Sequence, residues 1–154
     1  MNLSRAGFTI MELMLVILFL ALAGSAALFL FKNQEQGTLE AGVQGIMTRV
    51  REARVRAQAG VDGLAWGVRF ENATTSPFYA IFPGSTYVSA SSTSYYLPSS
   101  IGYAVLPQGS STDIVFTKLS GASSVSTTIQ FQLQSDSSKT ETLLISLEGN
   151  IRLR

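Results

Sequence analysis

The chain has 154 residues, 46% of them hydrophobic and 14% charged, with 11 Lys and Arg against 10 Asp and Glu for a net charge of +1. It holds no Cys and no His, which excludes a disulfide framework, a thiol nucleophile, a Cys/His zinc site, a His general base and a Ser-His-Asp triad. The length fits one domain with one modest core; the near-neutral balance argues against a protein that binds nucleic acid over its whole surface, and the low charge points to a membrane segment.

That segment is expected near the N-terminus. From Leu13 to Phe31 nineteen residues pass without a charge, and counting from Phe8 gives twenty-four, interrupted only by Glu12. The run is apolar on every face, unlike the amphipathic helix of a small core. At about 1.5 Å per residue it is long enough for a hydrocarbon core of about 30 Å. Arg5 and Gly7 precede it, and no small-x-small cleavage site closes it. Glu12 does not suit a plain anchor, because a carboxylate in such a segment is costly unless paired. A chain cut between Gly7 and Phe8 would place a new α-amino cation near that carboxylate, a pairing that sets register more than it stabilises.

Leu39, Val43, Ile46, Met47, Val50, Ala53 and Ala57 then recur in steps of three and four, predicting an amphipathic helix from roughly Thr38 to Ala59. Gly37, Gly42 and Gly45 predict a softened stretch, and Gly60 lies where a C-terminal cap belongs. Arg49, Arg51, Arg54 and Arg56 crowd the helix end. They read first as a solvated face that suits the helix dipole, with Glu52 pairing to Arg56, and second as a basic patch for DNA or a neighbouring subunit.

Beyond Gly63 the period changes to two. Strands are predicted at Leu64–Phe70, Phe78–Phe82, Tyr95–Leu97, Tyr103–Leu106, Ile114–Leu119, Thr128–Leu133 and Leu143–Leu147. A final hairpin is predicted through Glu148-Gly149-Asn150 to Ile151 and Leu153. Ser/Thr-rich loops separate them. The sequon Asn72-Ala73-Thr74 reads as chance. No nucleophile elbow, Ser-x-x-Lys, phosphate-binding glycine loop or carboxylate cluster at metal spacing occurs, so neither an enzyme nor a cofactor is expected.

Gly7-Phe8-Thr9-Ile10-Met11-Glu12, followed at once by the apolar run, resembles the class III signal of type IV pilins and type II secretion pseudopilins. The resemblance implies cleavage after Gly7 by a prepilin peptidase, N-methylation of Phe8 and subunit docking through Glu12. The segments LEAGVQGIMTRVREARVRAQA, GLAWGVRF and LLISLEGNIRLR resemble the GspH/FimT-like group of minor pilins and pseudopilins. The fold class that follows is α+β: a long N-terminal transmembrane-plus-amphipathic helix packed on a C-terminal antiparallel β-sheet head. Its expected parts are a leader at 1–7, a transmembrane and filament-core helix at 8–31, an amphipathic half at 32–60 and a β-rich head at 61–154. The implied partners are other pilin or pseudopilin subunits, the peptidase, an inner-membrane assembly platform and, before assembly, membrane lipid. The implied location is a single pass through the bacterial inner membrane with the head outside the cytoplasm, then a pilus or pseudopilus. Some members of the group bind DNA through a C-terminal Gly-Arg-x-Arg motif. Here Asn150 stands at the first arginine, while Arg152 and Arg154 remain. An unrelated single-span protein is the third reading.

Overall fold

A computed structural model describes residues 9–154, the side chains of 26–36 excepted. The chain divides into two compact units, Met1–Gln36 and Gly37–Arg154. One helix, α1 (Ile10–Gln58), contributes to both. In the first unit its start is set locally. The Glu12 N–H donates to Thr9 Oγ1 at 3.2 Å, so Thr9 caps the helix and Glu12 takes the third position of a Thr-x-x-Glu box. The apolar side chains that follow are uncovered: Ile10 is 82% exposed and Phe19 66%.

No helix among the described residues is long and apolar enough to cross a membrane. This corrects the expected fold class with its transmembrane helix at 8–31, and with it the single-pass inner-membrane location. Within the described part of that run, Glu12 sets a carboxylate among the apolar side chains of 10–25, a group that is costly in a hydrocarbon core. Phe8 and the side chains of 26–31 lie outside the described residues.

The second unit is built on alternation. Its strands are β1 (Trp66–Glu71), β2 (Phe78–Pro83), β3 (Thr93–Tyr96), β4 (Ile101–Tyr103), β5 (Ser111–Phe116), β6 (Thr127–Leu133), β7 (Thr140–Ile145) and β8 (Ile151–Leu153). They form two antiparallel sheets, ordered β3-β2-β1-β5 and β4-β6-β7-β8. Ile129, Phe131 and Leu133 of β6 are buried while Gln130 and Gln132 are partly exposed, the pattern of a strand with one wet face. Phe70 of β1 joins the sheets, meeting Tyr103 and Phe131 edge-on at centroid distances of 6.4 Å each.

The C-terminal half of α1 closes this core. Leu39, Val43, Ile46, Met47, Val50, Ala53 and Ala57 are buried in one cluster with side chains of both sheets, each large one contributing roughly 1.5–3 kcal/mol of burial. The helix runs without interruption through Gly37, Gly42 and Gly45. Gly42 has a packing reason to be glycine, because a Cβ there would run into Ile101 Cδ1 of β4. Gly60 adopts φ +63 and its N–H donates to the Ala57 carbonyl at 3.0 Å, ending the helix where the sequence predicts it.

Each of the seven predicted strands shifts at one or both ends, by at most three residues. The expected strand Tyr103–Leu106 is β4 at Ile101–Tyr103. The Ala104 N–H still pairs with the Gln130 carbonyl, after which the chain turns away with Val105 exposed. Leu64 and Leu119 lie outside the strands and are exposed. Because the helix approaches β4 so closely, Gly42→Leu should destabilise the fold by about 1–3 kcal/mol, measured as a lower urea midpoint with an unchanged slope.

Candidate functional site

The expected processing residues Gly7 and Phe8 lie outside the described residues. Glu12 is described, and its backbone is engaged by Thr9. Thr9 is the residue that sequence reasoning missed here; a threonine three positions before a glutamate at a helix start is the signal that could have found it.

The six expected arginines do not act alike. Arg49 and Arg56 flank Glu52 one turn apart. Arg49 Nη1 donates to Glu52 Oε2 at 2.8 Å, and Arg56 Nη2 donates to Oε1 of the same carboxylate. Both guanidinium groups also lie over aromatic rings of the first sheet, Arg49 4.8 Å from the Tyr95 centroid and Arg56 4.7 Å from that of Trp66. They fasten the helix to that sheet.

Arg51 and Arg54 serve the other sheet. Arg54 Nε donates to the Gly121 carbonyl and Nη2 to the Glu148 carbonyl, both at 3.3 Å. Gln58 donates to the Ser120 carbonyl at 3.4 Å, and the Leu119 N–H donates to the Ala57 carbonyl at 2.9 Å. The turn at 119–121 and the β7–β8 turn therefore gather around the end of α1. Gly149 sits at their contact with φ +78, where a Cβ would run into the Gly121 carbonyl and press on Arg54 Nε. Arg51 Nη2 reaches the Ile151 carbonyl at 3.4 Å. Arg51, Arg54 and Arg152 line one groove of about 290 Å³ with Gln58, Asn150 and Ile151. Arg154 pairs its backbone with Thr142 beyond the end of β8.

A second charged group was not anticipated. Arg69, on the outer face of β1, donates to Glu71 at 2.8 Å, to both Asp113 oxygens at 3.1 Å and to Ser111 at 2.7 Å, with Tyr87 stacked 4.5 Å away. The register Arg69↔Asp113 across β1 and β5 makes the pair, a cross-strand contact that no local pattern reveals. Burial pulls the Arg69 pKa down, but the hydrogen bond to Glu71 and the Asp113 charge outweigh it and the net shift is upward. Tyr103 donates its hydroxyl to the Phe78 carbonyl at 2.8 Å, and its burial pushes its pKa well up. Asn72 donates its side-chain amide to the Leu106 carbonyl at 2.6 Å, so the sequon asparagine is part of the loop framework. Among the described residues no group of three or more His, Cys, Asp or Glu is placed to hold a metal ion.

The second unit is thus a pair of sheets fastened by a helix, and the first presents an apolar helix start whose side chains are exposed. No protein-family model, curated protein or solved structure matches the chain.

Glu52 gives a pH signature. The hydrogen bond from Arg49, then that from Arg56, hold its carboxyl below the ordinary glutamate value against the opposing effect of burial. A carboxyl lowered in the folded state contributes stability above its unfolded pKa and loses it as pH falls through the folded value. Urea midpoints should drop between neutral pH and about pH 3, and drop less in Glu52→Gln. Gly149→Ala should cost about 1–3 kcal/mol through its left-handed backbone and the Gly121 clash, read from the same titration at neutral pH.

Proposed function

We propose that the chain is a structural subunit, a minor pilin or pseudopilin, of a type IV filament system, cut after Gly7 by a prepilin peptidase and methylated at Phe8. One observation carries the reading. The sequence Gly7-Phe8-Thr9-Ile10-Met11-Glu12 opens directly into a capped helix whose apolar side chains the chain itself leaves uncovered. An uncovered apolar surface of this extent marks an interaction site, and a helix apolar all round is covered when neighbouring helices surround it. In the proposed assembly those neighbours are other subunits, and Glu12 meets the α-amino group of an adjacent chain.

A DNA-binding role is not part of the proposal. Arg49 and Arg56 are tied to Glu52 and to aromatic rings, and Arg54 holds two backbone carbonyls. Three of the four arginines at the helix end are thus engaged within the fold, which weighs against a phosphate-tracking patch there.

Co-expression with a prepilin peptidase followed by intact-mass measurement tests the assignment. The expected product lacks Met1 to Gly7 and carries one added methyl group; a chain that keeps those residues in the presence of active peptidase overturns it. Glu12→Gln is expected to be processed normally yet to enter filaments poorly. Thr9→Ala separates docking from capping, since it should fray the first turn by about 1 kcal/mol while leaving the carboxylate in place. Unaltered incorporation of Glu12→Gln would remove the docking role.

A further inference from the structure

Two apolar side chains are buried away from the core. Ala80 and Phe82 of β2 are 0% exposed, yet neither belongs to the cluster formed by α1 and the inner sheet faces. The register puts them on the other side of the first sheet. Phe82 stands opposite Gly67 and Ala80 opposite Arg69, whereas Trp66, Val68 and Phe70 take the alternate positions of β1 and join the core. A Cβ at Gly67 would run into the Phe82 ring, so the ring reaches over β1 at the glycine.

The connection between β2 and β3 closes over this pair. The Gly84 N–H donates to the Ala65 carbonyl at 2.7 Å, and pairing with the sheet resumes where Thr93 faces Ile81. Between these points, among the described residues, the backbone of 85–92 bonds only within itself. The Ser91 N–H donates to the Val88 carbonyl and the Ser92 N–H to the Ser89 carbonyl, and the two serine hydroxyls repeat those bonds. From 85 to 91 every residue is exposed except Tyr87, which is half-buried. Its ring meets Phe82 edge-on at 5.6 Å and lies 4.5 Å from the Arg69 guanidinium. That guanidinium is a firm seat. It donates to Glu71 on β1 and to Asp113 and Ser111 on β5, which fixes its plane and leaves a face for the ring.

We propose that residues 85–92 form a strap that swings off the sheet as a unit while both sheets stay folded, with Tyr87 as its clasp and the Arg69 guanidinium as the catch. A segment held by one side chain and no ladder bond opens at far lower cost than the core it lies outside. Closed, the strap hides Ala80 and Phe82, and the visible aromatic surface of β2 is limited to Phe78, which meets the 70% exposed Tyr96 at 6.2 Å. Open, it bares a continuous apolar row, since Phe78, Ala80 and Phe82 alternate along one face of β2. The strap therefore sets how much apolar surface this face presents. The inference concerns the second unit alone and does not depend on the filament reading.

The chain has no Cys, so one introduced thiol reports on one place. In the full chain, Ala80→Cys sets a thiol beneath the strap and Val68→Cys sets one on the inner face of the same sheet, both at positions 0% exposed. Modification by N-ethylmaleimide is followed by intact mass. The thiol at 80 should react at least about tenfold faster than the thiol at 68. Low urea should accelerate only the reaction at 68, which needs global unfolding. Tyr87→Ala should accelerate modification at 80 and leave 68 unchanged. Asp113→Asn, which loosens the catch, should act in the same direction, whereas Tyr87→Phe should match the parent because the clasp is the ring. Equal rates at 80 and 68 with a shared urea dependence mean that the strap opens only on unfolding, and overturn the proposal. An unchanged rate at 80 in Tyr87→Ala, or a parallel rise at both positions, overturns the role of Tyr87 as clasp. The comparison of 80 with 68 leaves Tyr87 in place, so it decides the opening of the strap even if Tyr87→Ala folds poorly.

Discussion

The second unit depends on one helical stripe. Leu39, Val43, Ile46, Met47, Val50, Ala53 and Ala57 occupy one side of α1, and the inner faces of both sheets are buried against it. Each sheet alone has one apolar face and four strands, and neither could hide that face from water without the helix. Small residues decide how near the helix comes. Ala53, Ala57 and Gly42 let its backbone approach, and at Gly42 the Ile101 side chain occupies the place of a Cβ.

Around this apolar contact the arginines work as fasteners. Arg49 and Arg56 share one carboxylate and cover aromatic rings on one flank, while Arg54 ties two loops at the other. A guanidinium group suits both tasks, since its planar fork reaches two acceptors and its face stacks on a ring. Arg69 does the same on the outer face of β1, with Glu71, Asp113 and Tyr87. Much of the small charge complement of this chain is consequently spent internally, and its loops present Ser and Thr to solvent instead.

The parts legible in the sequence are those set by local periodicity. The helical stripe, the alternation of β6, the glycine cap at Gly60 and the β7–β8 turn all rest on spacings within a few residues. The division of eight strands into two sheets rests on pairings such as β1 with β5 and β4 with β6, which join distant segments and leave no local trace. For the same reason the arginines near the helix end read as one patch, although their partners lie on two different sheets. Apolarity and length at 8–31 predict a membrane span, yet no helix among the described residues is long and apolar enough to cross a membrane. The capping role of Thr9 is visible only when Glu12 is read as a helix-start residue rather than as a charge.

The distance in sequence between α1 and its partners sets how the second unit can fold. Arg51 meets a carbonyl one hundred residues further along the chain, and Arg54 meets one 94 residues away. The stripe cannot be covered until the strands that bury it have paired. Contacts of such long range make the search slow compared with a helical bundle of equal size. Until that search ends, the helix carries an open apolar face, and during that interval the chain is most vulnerable to aggregation.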